Sequence, residues 1–178
     1  MKKKFMRNFS VVALLFALCF NFNVNAQRRK KKSNKDTKEW RYDIECEGIA
    51  KRGSKLVKIW SYSKKPKFAI AQAMKNAVHG IVFKGYAGGG NGCTSFKPLV
   101  SSANENKEHE AFFKTFFSDQ GDFRKYVTAA ADGNIAPGDR LKISRKSYKI
   151  GVVVNVATDE LRKKLEAAGI IRGLNSGF

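Results

Sequence analysis

Residues 151–156, Gly-Val-Val-Val-Asn-Val, decide the reading of this chain. Four β-branched residues in six, with no charge, describe a strand buried in the middle of a sheet rather than one lying on its surface. Residues 147–157 extend this strand, and a turn at Lys146-Ser147 joins it to another over residues 140–144. Working back from it, Pro137-Gly138-Asp139 and Asp132-Gly133-Asn134 are turns, and residues 127–131 have strand character. Downstream, Thr158 or Asp159 is expected to cap a helix whose Leu161, Leu165 and Ala168 line one face and which Gly169 ends.

The N-terminal half supplies partners for that strand. Tyr42, Ile44 and Cys46 alternate with Asp43, Glu45 and Glu47, the period of a half-buried strand. A turn at Lys51-Arg52-Gly53-Ser54 leads to a second strand over residues 56–63, with Val57 and Ile59 on one side and Leu56, Trp60 and Tyr62 on the other. Pro66 suits a first helical position, and Ile70, Ala73, Met74, Ala77, Val78 and Ile81 follow at helical spacing. This predicts a helix of about 14 residues whose alanines permit close approach to a sheet. Residues 81–83, Ile-Val-Phe, fit either its continuation or the start of a strand. A second helix is expected over residues 107–117 and a short third one over 122–126. Because the strands come in hairpins, the fold class is α+β, with a mainly antiparallel sheet of four to six strands and helices packed on one face.

The first 26 residues have a different character. Lys2, Lys3, Lys4 and Arg7 precede an apolar run at residues 11–20, and Val24-Asn25-Ala26 offers small residues before Gln27. This is the layout of a secretory signal peptide. The run is about half the length a spanning helix needs, and no longer apolar run follows. The expected organisation is therefore a signal peptide at 1–26, a basic arm at 27–38, one α+β domain at 39–170 and a tail at 171–178. The arm (QRRKKKSNKDTK) holds no apolar residue to offset its ordering entropy and is expected to be disordered. Without the leader, 31 basic residues face 15 acidic ones, a net +16; from residue 42 onward 23 face 13, so the body is itself basic.

Leader removal also discards Cys19, which Leu18 makes a poor lipidation site. Cys46 and Cys93 remain. An even count in an exported chain favours a disulfide, the alternative being two separate thiols. Closing that loop would stabilise the fold by about 4 kcal/mol in the chain-entropy model.

Three features invite a functional reading. The first is the long glycine-rich loop over residues 84–104, with Gly85, Tyr86, Gly88, Gly89, Gly90, Asn91 and Gly92 as a candidate binding loop. It fits no phosphate-cradling motif: Cys93-Thr94 follows Gly92 where Lys-Ser/Thr is required, and Cys93 breaks G-x-G-x-x-G. The second is Arg28, Arg29, Lys30, Lys31 and Lys32, an arm suited to anionic surfaces. The third is the quartet Phe112, Phe113, Phe116 and Phe117, which is core packing unless two of them stay exposed.

Catalytic signals are thin. Cys93 as a nucleophile needs a base, and only His79 and His109 exist. His79 near a helix end suits a cation stabilised by the helix dipole, and His109 lies among Glu105, Glu108 and Glu110 at a helix start. His109-Glu110 fails as a zinc-protease motif, because Phe113 occupies the second histidine position. Asp119, Asp122, Asp132 and Asp139 are loop carboxylates. No catalytic, cofactor or metal motif is assigned.

Residues 44–83, a strand-turn-strand followed by a helix with Ala69, Ala71, Ala73 and Ala77, and residues 148–169, a strand followed by Asp159-Glu160-Leu161 and an amphipathic helix, together resemble a known pattern. It is that of the small α/β domain of LPP20-like lipoproteins and of the flagellar-assembly T protein N-terminal domain. The resemblance covers about half of the mature chain; the weak lipidation site and the loop at 85–92 depart from it. The leader ending Ala26-Gln27 looks like those of Bacteroidetes-type bacteria. The resemblance implies a non-enzymatic envelope module that docks onto an assembly, in the periplasm or at the outer-membrane periphery of a Gram-negative bacterium. Expected partners are an envelope protein or an anionic envelope surface. A cell-envelope hydrolase acting on wall or polysaccharide is the alternative function, and nucleic-acid binding, disfavoured for an exported chain, is the third.

Overall fold

The computed structural model describes residues 40–63, 66–89, 92–100, 108–144 and 147–173. The expected leader, the basic arm with Arg28, Arg29, Lys30, Lys31 and Lys32, Gly90 and Asn91 of the glycine loop, and most of the tail lie outside the described residues.

Strand β5, Ser147–Val156, is hydrogen-bonded on both edges. The nine residues of β2, Lys55–Ser63, pair with it along its length, from Lys55 opposite Val156 to Ser63 opposite Tyr148. On the other edge β4, Arg140–Ser144, pairs with its first half and β3, Val127–Ala129, with its last three residues. β1, Tyr42–Gly48, joins the outer edge of β2. All pairings are antiparallel, so among the described residues five strands make one antiparallel sheet. Contacts group residues 41–178 as one unit.

The period-2 rule places Val57, Ile59 and Ser61 of β2 and Ile150, Val152, Val154 and Val156 of β5 on one face, and all are buried. Each such valine or isoleucine contributes about 1.5–3 kcal/mol by leaving water. Helix α1, Pro66–Phe83, covers this face with Ala69, Ala73, Ala77, Val78, Ile81 and Val82. Residues 81–83 thus continue the helix, which runs 18 residues rather than about 14. The alanines keep helix and sheet close, and Gly80 does the same towards β1: a β-carbon there would sit 2.7 Å from Ile44 Cδ1.

Helix α2 is shorter than expected, Glu110–Phe116, and residues 122–126 form a 3-10 turn. Strand character after Val127 stops at Ala129, where another 3-10 turn begins. Helix α3, Thr158–Ala167, buries Leu161 and Leu165 as its periodicity requires. Its cap differs from expectation. The N-cap residue is Ala157 and no side chain caps the helix locally; instead the Thr158 hydroxyl and the Asp159 backbone N–H both donate, at 3.1 Å, to the carbonyl of Gly53 in the β1–β2 turn. A distant turn thereby satisfies donors that a helix start leaves open.

Ser61 and Asn76 are the polar pair in this core, 1% and 4% exposed. Asn76 Nδ2 donates to Ser61 Oγ at 3.1 Å, and Asn76 Oδ1 has no partner among the described residues. Ser61→Ala should therefore cost about 1–3 kcal/mol by orphaning the amide, whereas Ser61→Ala with Asn76→Leu should recover most of that loss. Urea unfolding of the two variants checks this; equal losses in both would show that the pair is not coupled.

Candidate functional site

Cys46 and Cys93 are joined in a disulfide, with Cα atoms 6.0 Å apart. Cys46 faces the helix side of β1, paired across from Val57, so the bond ties the glycine loop to the sheet. The loop is held elsewhere too. Tyr86 and Phe96 exchange two backbone hydrogen bonds of 2.9 Å and stack their rings at 5.7 Å. Gly89 N–H donates to the Cys93 carbonyl at 3.3 Å. At its root Gly85 takes φ +66°, and a β-carbon there would collide with the Phe96 carbonyl oxygen. Only glycine combines that backbone sign with that proximity. The chain leaving the loop is fixed by Leu99 and Val100, whose N–H groups donate to the Ile81 and Val82 carbonyls at the end of α1.

Between this loop and the β1–β2 turn lies a cleft of about 240 Å³. The disulfide, Tyr86, Gly92 and Thr94 form one wall; Ile49, Lys51, Arg52, Ser54 and Lys55 form the other. Among the described residues three cations and no carboxylate line it, and the Asp159 carboxylate lies against Gly53 behind that wall. None of the ion pairs among the described residues engages Lys51, Arg52 or Lys55. Lys55 Nζ stands 5.4 Å above the Phe96 ring, a cation–π contact that holds it beside the loop. Burial raises the Tyr86 phenol above its ordinary value, so its hydroxyl stays a donor at neutral pH. A second, more apolar groove of about 590 Å³ runs between the start of α1 and the turns after Gly133, lined by Ile70, Ile135 and Pro137 with Lys67 and Arg140 at its edges.

The candidate catalytic residues do not converge on either groove, for neither lining holds Asp, Glu or His. The bridge consumes the Cys93 thiol. Asp139 pairs with Lys58 at 3.2 Å, and Asp122 with Lys125 at 2.8 Å. Among the described residues no three metal-ligating side chains cluster. The four phenylalanines belong to packing: Phe113, Phe116 and Phe117 are buried and Phe112 is half-buried. They meet Phe83, Phe123 and Tyr126 in one aromatic cluster.

His79 sits in that cluster too, against Phe83 and Phe117, and it corrects the expectation of a dipole-stabilised cation. Burial first, then nearby Lys84 and Lys75, lower its pKa from 6.5 to about 3. Burial also raises the Tyr42 phenol, and its hydroxyl shares a hydrogen bond of 2.7 Å with His79 Nδ1, the donor being set by the imidazole tautomer. A neutral imidazole results. Helix position alone suggested a cation favoured by the dipole; besides Phe83 of the same helix, the ring's neighbours are Tyr42 on β1 and Phe117 just after α2, both remote in sequence, which the local pattern does not show.

The cleft itself was hidden in the sequence. Lys51-Arg52-Gly53-Ser54 read only as a turn, although three cations and no acid in residues 49–55 was the available signal. No family model, curated protein or solved structure matches the chain.

Two outcomes follow from these contacts. Replacing Cys46 and Cys93 together by serine should lower unfolding free energy by about 2–4 kcal/mol and make the segment between Gly85 and Phe96 exchange its amide hydrogens faster, as read by mass spectrometry. An unchanged exchange rate in that segment would mean the Tyr86–Phe96 bridge suffices. For His79, the unfolded state binds a proton below pH 6.5 that the folded state refuses until about pH 3. Stability should thus be flat above that window and fall on acidification within it, by at most about 1.4 kcal/mol per pH unit for this one group. His79→Phe should flatten that part of the profile, and a profile identical to the unsubstituted protein would remove His79 as its source.

Proposed function

We propose that this chain is an exported, non-enzymatic binding or scaffold protein of a bacterial envelope, working in the periplasm or at the outer-membrane periphery. The observation that carries the reading is the cleft with a disulfide in one wall and cations in the other. A covalent cross-link persists in oxidising compartments and is rare in reducing ones. Among the described residues no helix is long and apolar enough to cross a membrane, which agrees with a protein that passes through the inner membrane and does not stay in it. Cations without internal counter-charges offer binding energy to an anionic partner, because their pairing with that partner costs no existing ion pair. The arm with Arg28, Arg29, Lys30, Lys31 and Lys32 adds five positive charges of the same sign. It steers the protein to the surface on which the cleft acts.

The test is fractionation. The exported protein should begin at Gln27 by mass, and it should sediment with envelope membranes at low salt and release as salt rises. Deleting residues 28–38 should shift it to the soluble fraction at a lower salt concentration. Unchanged fractionation would sink the role of the arm, and retention of residues 1–26 in a cytosolic protein would sink the envelope assignment.

A further inference from the structure

We infer that the cleft receives the phosphate-bearing headgroup of an anionic lipid, with Ile49 meeting the apolar part of the same molecule. The inference rests on the envelope reading and specifies its ligand.

Three features of the cleft select this chemistry. Its lining is cationic, with Lys51, Arg52 and Lys55 and no carboxylate among the described lining residues; the one acid beside it, Asp159, lies against Gly53 and leaves a net positive charge. A guanidinium and ammonium groups together match a phosphate, the first as a two-pronged donor and the others as point charges. Its size is about 240 Å³, below the roughly 300–1,000 Å³ of pockets that enclose a drug-sized molecule. It therefore suits a headgroup whose remaining mass stays outside. Ile49 is the third feature. It is 81% exposed at the rim, the most exposed large hydrophobic residue described, and stands beside Gly92 of the facing wall. Alone, an exposed isoleucine carries no message. Next to Lys51 and Arg52 on a hairpin tip it completes the pairing of apolar wedge and cations that interfacial anchors use.

The backbone of both walls is tethered. The disulfide and the Tyr86–Phe96 bridge hold one wall. The Gly53 carbonyl, bonded to Thr158 and Asp159 of α3, holds the other. A headgroup would thus meet cations carried on a fixed backbone, with Lys55 held in addition against Phe96, which lowers the cost of binding.

The experiment uses the mature chain, residues 27–178, and vesicles of phosphatidylcholine with or without phosphatidylglycerol. Sedimentation should show binding only to the anionic vesicles. The triple variant Lys51→Ala, Arg52→Ala, Lys55→Ala should weaken it by about a hundredfold, at roughly 1 kcal/mol per cation near a charged surface. A control that removes as much charge elsewhere, Arg124→Ala, Lys142→Ala, Lys163→Ala, should lose far less. Ile49→Ser should weaken vesicle binding severalfold while leaving the affinity for soluble glycerol phosphate unchanged. Circular dichroism melts confirm that each variant is folded, and the Ile49→Ser arm keeps the test open if the triple variant is not. Equal losses in the cleft and control variants would overturn the inference and leave a merely basic envelope protein. Sedimentation with envelope membranes that protease treatment abolishes, without binding to anionic vesicles, would also overturn it, and would leave the envelope reading intact with a protein as partner.

Discussion

Pairing of β5 on both edges is the constraint on which this fold depends. A strand so placed has most of its backbone donors and acceptors committed to neighbours, with only Gly151 to Val153 between the reach of β4 and β3 on one edge, so its partners are set by register. β2 takes one whole edge, and β3 and β4 must divide the other. The chain between them leaves the sheet through 3-10 turns and returns at Asp139, whose carboxylate meets Lys58 on the face away from α1. On that face Lys149 pairs with Asp43 at 2.8 Å, and Trp60 donates to Glu45 at 3.1 Å. The exposed ones among these contacts, Lys149–Asp43 and Trp60–Glu45, are worth little singly. They give the outer face a polar lattice, while the inner face is built almost wholly of valine, isoleucine and alanine.

The position of the cleft follows from that geometry. Helix α1 must end where the inner face ends, and the open carbonyls of its last turn need donors. Leu99 and Val100 provide them, so the chain has to come back to the helix end after leaving it at Gly85. The residues between have only the space beside β1 in which to turn, and there Cys93 meets Cys46. The cleft is the gap left between that excursion and the β1–β2 turn.

Much of the sheet was legible because its signals are local. Alternation in residues 42–46, the apolar run at 151–156 and the spacing of Ile70 through Ile81 each identify an element without reference to any other. The pairing of Cys46 with Cys93 followed from counting and compartment, with two thiols left open as a rival. What escaped was tertiary. Ile81-Val82-Phe83 has strand composition, and it continues a helix because its carbonyls find partners 18 residues further on. The cap of α3 lies more than a hundred residues upstream of it, in Gly53. His79 is neutral because it is buried, in part against Phe117 just after α2 and Tyr42 on β1, with Lys84 and Lys75 nearby. Of the candidate loop, Gly85 and Tyr86 act as anchors and Gly92 lines the cleft, whereas the charged side of the cleft comes from a turn that local patterning treats as punctuation.

The Gly53 carbonyl joins the hairpin tip to the last helix of the domain. Together with the bond from Cys46, it pins the hairpin at two points on either side of Lys51 and Arg52. Such a tip cannot fold back or swing: it would have to break a covalent bond or uncap α3. A pull applied there passes directly into the C-terminal helix and the sheet, bypassing the turn itself. The hairpin is a rigid peg set in the body of the molecule, and whatever grips it takes hold of the whole domain.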